Sequence, residues 1–322
     1  MRRIFFLSLL CALMSAAVPA VVYSRGQIPS TAEPGPSPAA EARRMISLLR
    51  DGRIETMPLE EYLPGVVAGE MPAVFPPQAL RAQAVASRTY ALHRMQERSS
   101  RHPEADVCDD SDCCQVWLDE SRRRELWGEN HDLYESAVHA AVADTAGAIL
   151  TWGGEPILAC FHASSPGRTE SSGALWGTAL PYLVSVDTPE SADDVPNFIT
   201  TAELTPETFR QGVLSVVPSA PFSGEPETWI GERVLDTGGR VAAIRVGGAT
   251  VPGAALRKAF SLRSCCFTLE WTGESFLFTV EGSGHGAGMS QYGARVLAES
   301  GASWQEILAH YYPGAQVELL SP

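Results

Sequence analysis

The segment 59–92 constrains the fold of this chain most strongly, because prolines divide it into two helices at a defined point. Apolar residues recur at helical spacing on both sides of a proline-rich stretch at 72–77. A proline lacks a backbone N–H and restricts the residue before it, so no helix continues through this stretch. The sequence predicts one helix that ends at Glu70 and a second that begins at the prolines. The second helix is expected to expose Gln83 and Arg88.

Glu70 is the acidic residue at the end of the first predicted helix. The helix dipole is negative at that end, and the nearby residues Val67, Met71 and Phe75 are apolar. Both conditions disfavour the ionised carboxylate, so we expect a raised pKa for Glu70. A carboxyl group that keeps its proton near neutral pH suits a general acid. The pattern alone also fits a solvated glutamate on the protein surface.

The N-terminal residues have the pattern of an export signal. Arg2 and Arg3 precede an uncharged apolar run, and small residues at 18–20 are suited to cleavage. Residues 1–24 are therefore predicted to be a signal peptide or a membrane anchor, and in both cases the rest of the chain is exported. Residues 25–41 are rich in Pro, Ala, Ser and Gly and predict a flexible linker.

The overall charge limits the class of partner. The chain carries a formal net charge of -14 at pH 7. Such a charge disfavours nonspecific attraction to nucleic acid or to an anionic cell wall. Nucleic acid is not an expected partner, and an anionic substrate requires a local cluster of donors.

A short polar segment concentrates residues of the types that bind metal ions: His102, Cys108, Cys113 and Cys114. Their proximity predicts a tetrahedral site, with zinc as the favoured ion. Four protein ligands would close the coordination shell, so such a zinc would be structural rather than catalytic. A disulfide loop is the alternative, and it is natural in an exported protein. Adjacent Cys113 and Cys114 cannot easily pair with each other, so disulfides would need a distant partner.

Other elements follow from residue spacing. Residues 45–57 predict two strands joined by a turn at Asp51-Gly52, and residues 125–145 predict one helix. From residue 201 onwards, a short helix, a hairpin around Gly238-Gly239 and a further helix predict a smaller module inserted in the main one.

A glycine-rich loop near the C-terminus presents a histidine. Gly282, Gly284, Gly286 and Gly288 alternate around His285, which lets the backbone turn tightly and approach a ligand. The loop lacks the G-K-[ST] of a phosphate-binding loop, and its spacing does not match dinucleotide-binding loops. A helix is predicted to follow, and free amide groups at its N-terminus favour an anion or a carbonyl. We therefore expect His285 to belong to a binding site.

Several motifs along the chain resemble, in their order, those of the stage II sporulation protein D family, also called the SpoIID/LytB domain. A YL-x-G-V-V-x-x-E-M-P motif and the K/R-A-Q-A-V-A-x-R-T-Y-A helix after it align the family's catalytic glutamate with Glu70 and its arginine with Arg88. A C-Q-V-Y/W segment matches residues 114–117, and an S-x-G-x-T motif begins at Ser165. The motif G-H-G-x-G-M-S-Q-x-G-A is matched at residues 284–294.

The resemblance spans about residues 53–316 and implies an α+β protein. Its main mixed helix/sheet catalytic domain, 42–318, would contain a smaller inserted α/β module at about 200–270, with a glycan cleft between them. Enzymes of the family are peptidoglycan lytic transglycosylases. They cleave the β-1,4 bond between N-acetylmuramic acid and N-acetylglucosamine and form a 1,6-anhydro ring. The resemblance thus implies Glu70 as a single general acid/base, with no cofactor needed for catalysis. It implies these substrate-binding residues: Arg88, Gln115, Ser165, His285, Ser290 and Gln291.

Two other functional classes share features with this sequence. The family also includes noncatalytic wall-binding proteins that stimulate an N-acetylmuramoyl-L-alanine amidase, and the presence of Glu70 favours the enzyme. A serine hydrolase built on His162 and Ser164 is disfavoured, since the chain has no G-x-S-x-G motif. The expected partners are peptidoglycan glycan strands, an amidase in the second role, and the membrane if the N-terminal segment is not cleaved.

Overall fold

The structure is a computed structural model that describes residues 44–320. The predicted export segment, 1–24, and the predicted linker, 25–41, lie outside the described residues. Between residues 44 and 320, no helix combines the length and the apolar character that a membrane span requires.

Helices and short strands alternate along the described chain, which confirms the predicted α+β class. The helices are α1 (Leu59–Glu70), α2 (Pro77–Gln96), α3 (Glu120–Trp127), α4 (His131–Asp144), α5 (Ser172–Trp176), α6 (Pro206–Val216), α7 (Gly253–Ala259), α8 (Gln291–Glu299) and α9 (Trp304–Tyr311). The strands are β1 (Met45–Arg50), β2 (Arg53–Pro58), β3 (Val107–Cys108), β4 (Ala148–Trp152), β5 (Glu155–Pro156), β6 (Phe161–His162), β7 (Ile199–Leu204), β8 (Ile230–Leu235), β9 (Val241–Val246), β10 (Ala249–Pro252), β11 (Phe267–Trp271), β12 (Phe276–Glu281), β13 (Met289–Ser290) and β14 (Gln316–Leu319).

Two hydrophobic cores organise these elements. The larger core surrounds α2, which packs against α1, α4, α8, α9 and β4. It joins residues from both ends of the described chain, from Ile46 to Tyr312. The smaller core lies between Phe209 and Val280 and includes the sheets β10-β9-β8 and β11-β12-β7. The segment from β7 to β12, which contains the predicted smaller module, thus has a hydrophobic core of its own.

The smaller module leaves and rejoins the main domain at neighbouring points. Ile199 at the start of β7 pairs with Glu281 at the end of β12. The amide of Gly282 donates to the carbonyl of Phe198 at 2.9 Å. The glycine-rich loop therefore begins where the module ends.

The proline break and the first hairpin have the predicted form. α1 ends at Glu70 and α2 begins at Pro77, because Pro72 and Pro76 lie between them. β1 and β2 pair in an antiparallel manner around Asp51-Gly52, and both turn residues have positive φ, as a tight hairpin turn requires.

Two local predictions are wrong. The single helix predicted over 125–145 is two helices, because α3 ends at Trp127 and Gly128 has a φ of +51°. Gln83 and Arg88 were expected to be exposed, but both side chains are fully buried. α2 is enclosed by other elements around most of its circumference, so it has no solvated strip at these positions.

Candidate functional site

Two glycines on α1 position the segment that holds the Glu70 carboxyl group. A Cβ atom at Gly65 would lie 2.3 Å from the indole nitrogen of Trp117, and one at Gly69 would lie 2.8 Å from the carbonyl oxygen of Val116. The absence of these Cβ atoms lets residues 116–117 lie directly on the helix. The Trp117 indole donates to the carbonyl of Tyr62 at 3.0 Å. This packing brings the Val116 amide to Glu70 Oε1, to which it donates at 2.6 Å.

Burial controls the protonation state of Glu70. Removal of the carboxyl group from water raises its pKa from 4.5 to about 7, although the hydrogen bond from the Val116 amide opposes this effect. The direction agrees with the sequence-based expectation, but desolvation is the main cause. A carboxyl group with a pKa of about 7 is populated in both protonation states at neutral pH, so it can donate a proton and accept one.

Glu70 opens into a cavity of about 620 Å³. The predicted site residues Gln115 and His285 line the same cavity, as do Cys113 and Cys114 of the cysteine cluster. Further residues that line the cavity are Tyr90, Arg94, His162, Trp176 and Arg257. The cavity is thus lined by side chains from the end of α1, from the cysteine segment, from the glycine-rich loop and from the smaller module.

Gln115 is the buried polar residue next to Glu70 in this cavity. Its side chain is 1% exposed, and neither its amide nitrogen nor its oxygen has a hydrogen-bond partner among the described residues. A buried amide without partners is unfavourable, by roughly 1–3 kcal/mol for each unsatisfied group. Gln115 therefore needs water or a ligand to complete its hydrogen bonds.

The glycine-rich loop fixes His285 in the cavity. Gly282, Gly284, Gly286 and Gly288 all have positive φ, between +69° and +106°. This backbone conformation turns the Ala287 amide towards the ring, and the amide donates to His285 Nδ1 at 3.0 Å. Burial and the nearby guanidinium groups of Arg257 and Arg240 lower the pKa of His285 to about 4. His285 is therefore a neutral hydrogen-bonding group at neutral pH, and its ring lies 6.0 Å from that of Trp176.

Arg88 lies in the core of the main domain and does not line the cavity. Its Nε and Nη2 atoms donate to the Glu60 carboxylate, both at 2.7 Å. The same guanidinium also donates to the carbonyl oxygens of Ala148 and Val142, each at 3.2 Å. In the structure the Arg88 guanidinium contacts α1, the end of α4 and the start of β4, and the substrate-binding role that the resemblance implies for Arg88 stays a prediction.

Ser165, Ser290 and Gln291 are also buried and do not line the cavity. The Ser165 amide and the Ser290 hydroxyl both donate to the Glu190 carboxylate. Ser290 is in addition the N-cap of α8. Gln291 donates to the side chain of Gln83 on α2 at 3.3 Å. In the structure these three residues hydrogen-bond to other protein groups next to the cavity and not to the cavity itself.

Arg240 and Glu190 are supporting residues that the sequence analysis missed. Arg240 belongs to the smaller module, is 1% exposed, and donates to the Ser165 hydroxyl at 2.7 Å. Glu190 has a buried carboxylate that accepts hydrogen bonds from the Ser165 amide and the Thr188 hydroxyl. Neither contact with Ser165 has a local sequence signal, because Ser165 lies 75 residues from Arg240 and 25 residues from Glu190 in the chain.

The four predicted metal-ligand residues are close together. The ligand atoms of His102, Cys108, Cys113 and Cys114 all lie within 4.8 Å of one another. The cysteines of the described chain are free thiols, so the structure contains no disulfide loop here. His102 Nδ1 donates to the carbonyl of Ala105 at 3.2 Å, and Nε2 lies 3.2 Å from Cys114 Sγ. These spacings fit a tetrahedral ion with metal–sulfur bonds of about 2.3 Å.

Comparison with known proteins gives consistent matches. A family model described as "Stage II sporulation protein" matches residues 50–152. The chain is 37% identical over 267 residues to stage II sporulation protein D of Bacillus subtilis (strain 168), with 82% of this chain and 75% of the relative covered. It is 36% identical over 266 residues to the Bacillus amyloliquefaciens protein of the same name, with the same coverage. It is also 28% identical over 304 residues to an "Amidase enhancer" of Bacillus subtilis (strain 168), with 78% of this chain and 39% of that protein covered.

Proposed function

Because this chain belongs to the stage II sporulation protein D family, we propose that it is an exported peptidoglycan lytic transglycosylase with Glu70 as its single general acid/base. Its similarity to sporulation proteins and to an amidase enhancer supports a role at the cell wall. The observation that carries the proposal is the Glu70 carboxyl group, which has a pKa of about 7 and opens into a large cavity.

The reaction has two proton transfers. Glu70 gives its proton to the oxygen that links N-acetylmuramic acid to N-acetylglucosamine, and the bond from that oxygen to C1 breaks. The Glu70 carboxylate then takes the proton of the muramic C6 hydroxyl, whose oxygen forms a bond to C1 and closes the 1,6-anhydro ring. No water is consumed, and Glu70 ends in its original protonated state. The substrate's own hydroxyl is held next to C1, so a second catalytic carboxylate is not required.

The contacts of Glu70 suit this sequence. The Val116 amide occupies Oε1, so Oε2 is the atom that transfers the proton. Neutral His285 and the unpartnered Gln115 offer hydrogen bonds to a sugar in the same cavity. The other carboxylate that lines the cavity, Asp112, is exposed. A hydrolase would need such a second carboxylate to activate water.

The cysteine cluster supports a structural zinc ion. The four residues around His102 would hold the ion and tie residues 102–114 together, directly before the segment that binds Glu70. Zinc bound by four protein ligands has no open position for substrate, so its contribution would be to the stability of this loop.

The test compares the wild type with Glu70→Gln on glycan strands stripped of their peptides. Glu70→Gln keeps the shape of the side chain but removes the transferable proton, so we expect cleavage to fall by about 10²–10⁴-fold. Mass spectrometry should find anhydromuramic ends in the wild-type products. Glu61→Gln, an exposed site on the same helix, is the matched control and should cleave normally.

A noncatalytic role is the second candidate, since the chain resembles an amidase enhancer. In that role the protein would bind glycan strands and stimulate an amidase. The same experiment separates the two functions. Reducing ends from the wild type would make water the nucleophile and contradict the transglycosylase. Binding of strands by both proteins, with cleavage by neither, would favour the amidase-stimulating role.

A further inference from the structure

Arg257 is the residue by which the smaller module takes part in the cavity. Of the described residues between β7 and β12, it alone lines the cavity that contains Glu70 and His285. It lies on α7 and is partly exposed. Its neighbour Lys258 is exposed on the same helix and does not line the cavity.

The charge of Arg257 is not neutralised within residues 44–320. Its hydrogen bond in the structure is from Nε to the carbonyl of Leu262 at 3.3 Å, and no described carboxylate lies within ion-pair distance. Arg94, the other arginine that lines the cavity, donates to the Tyr90 hydroxyl and to the carbonyl of Cys113. Arg257 therefore has a guanidinium edge, formed by its two Nη atoms, that is free to bind a ligand.

The electrostatic setting favours an anionic ligand at this position. Arg257 is close enough to His285 to contribute to the lowered pKa of that ring, so its positive field reaches the inside of the cavity. Among the groups that line the cavity, His285 is neutral and Glu70 is only partly ionised at neutral pH, and the Asp112 carboxylate is exposed to solvent, so the charge of Arg257 is compensated only in part. A guanidinium group pairs best with a carboxylate, which can accept two parallel hydrogen bonds. A free arginine in a chain of net charge -14 is thus suited to one carboxylate of a ligand.

We propose that Arg257 binds a carboxylate of the glycan strand and so selects strands that carry this group beside the bond to be cut. The inference rests on the proposed function, because it takes peptidoglycan as the ligand. A peptidoglycan strand has two sources of such a group: the lactyl carboxylate of muramic acid, which is free where the peptide is absent, and the carboxylates of the stem peptide. If the lactyl group is the ligand, an amide hydrolysis that removes the peptide must supply the substrate.

The test measures binding in the Glu70→Gln background, where no cleavage disturbs the equilibrium. Fluorescently labelled strand fragments of three kinds are titrated with the full chain: peptide-free strands, the same strands with each lactyl carboxylate converted to a neutral methylamide, and strands that keep their peptides. Adding Arg257→Gln should weaken binding to a carboxylate-bearing strand by about tenfold or more and leave the methylamide strand unaffected. A loss of affinity for the peptide-free strands identifies the lactyl carboxylate as the group that Arg257 binds. A loss of affinity for the peptide-bearing strands identifies a carboxylate of the stem peptide.

Two further variants control for charge and folding. Lys258→Gln removes the same charge from the same helix and should change the affinity for every strand by less than about twofold. Arg257→Lys keeps the positive charge but lacks the planar guanidinium group, so it should bind more tightly than Arg257→Gln and less tightly than the protein with Arg257. The proposal would be overturned if Arg257→Gln lost affinity equally for all three strands or for none of them. It would also be overturned if Lys258→Gln showed the same loss of affinity as Arg257→Gln. The end groups made by the wild type are measured separately, so the carboxylate inference can stand even if the transglycosylase reaction fails.

Discussion

The raised pKa of Glu70 has a measurable cost in stability. In the unfolded chain this carboxyl group has its ordinary pKa of 4.5, and in the folded protein the pKa is about 7. Below pH 4.5 both states are protonated and the stability is unaffected. As the pH rises from 4.5 through 7, the unfolded state loses its proton more readily, so the folded state is progressively destabilised. A rise from 4.5 to about 7 corresponds to about 3 kcal/mol at pH values well above 7.

Glu70→Gln should therefore be more stable than the wild type at pH 8.5 and similar to it at pH 4. The expected difference at pH 8.5 is up to about 3 kcal/mol, because the neutral amide has no charge to desolvate. Urea denaturation at a series of pH values gives the free energy of unfolding of each protein. The exposed control Glu61→Gln should not show this pH dependence. A constant difference between wild type and Glu70→Gln from pH 4 to pH 8.5 would refute a desolvated carboxyl group.

Three other predictions concern the surroundings of the site. Gly69→Ala adds a Cβ 2.8 Å from the carbonyl oxygen of Val116, whose amide binds Glu70, so it should cost about 1–3 kcal/mol of stability and reduce cleavage. Gly173→Ala, with its nearest contact at 3.5 Å, should do neither. Arg88→Gln should lower the free energy of unfolding by about 3 kcal/mol, because it leaves the Glu60 carboxylate without its partner. In the double variant Arg88→Gln/Glu60→Gln the loss should be well below the sum of the two single losses. Normal stability of Arg88→Gln with weakened glycan binding would contradict this. Elemental analysis should find about one zinc per chain and less in Cys108→Ser, whereas a metal-free protein with quantitative disulfides would rule out the zinc site.

Local sequence signals predicted the parts of the structure that depend on local geometry. The prolines around residue 76 fixed the ends of two helices, and Asp51-Gly52 fixed the first hairpin. The four residues of the cysteine cluster are close in sequence, and their ligand atoms lie together in the structure. The glycines around His285 likewise determine the conformation of their own loop.

Contacts between distant segments could not be read in the same way. The partner of Arg88 is Glu60, 28 residues earlier, and helical spacing alone suggested an exposed side chain. The small residues Ala79, Ala82 and Ala86 around α2 were the available signal, since a helix with small or apolar residues on all sides is usually buried. The role of Glu190 in binding Ser165 and Ser290 depends on the tertiary fold and has no counterpart in local pattern.

The adjacency of Ile199 and Glu281 has an evolutionary consequence. A module whose two ends are paired strand residues can be lengthened, shortened or exchanged without changing the path of the main chain on either side. The acid Glu70 belongs to the main domain, whereas Arg257 belongs to the module. Under the roles proposed for Glu70 and Arg257, substitutions in the module away from Arg240 can change strand recognition without replacing the residue that transfers the proton. Recognition and bond cleavage would then be separate traits of one gene.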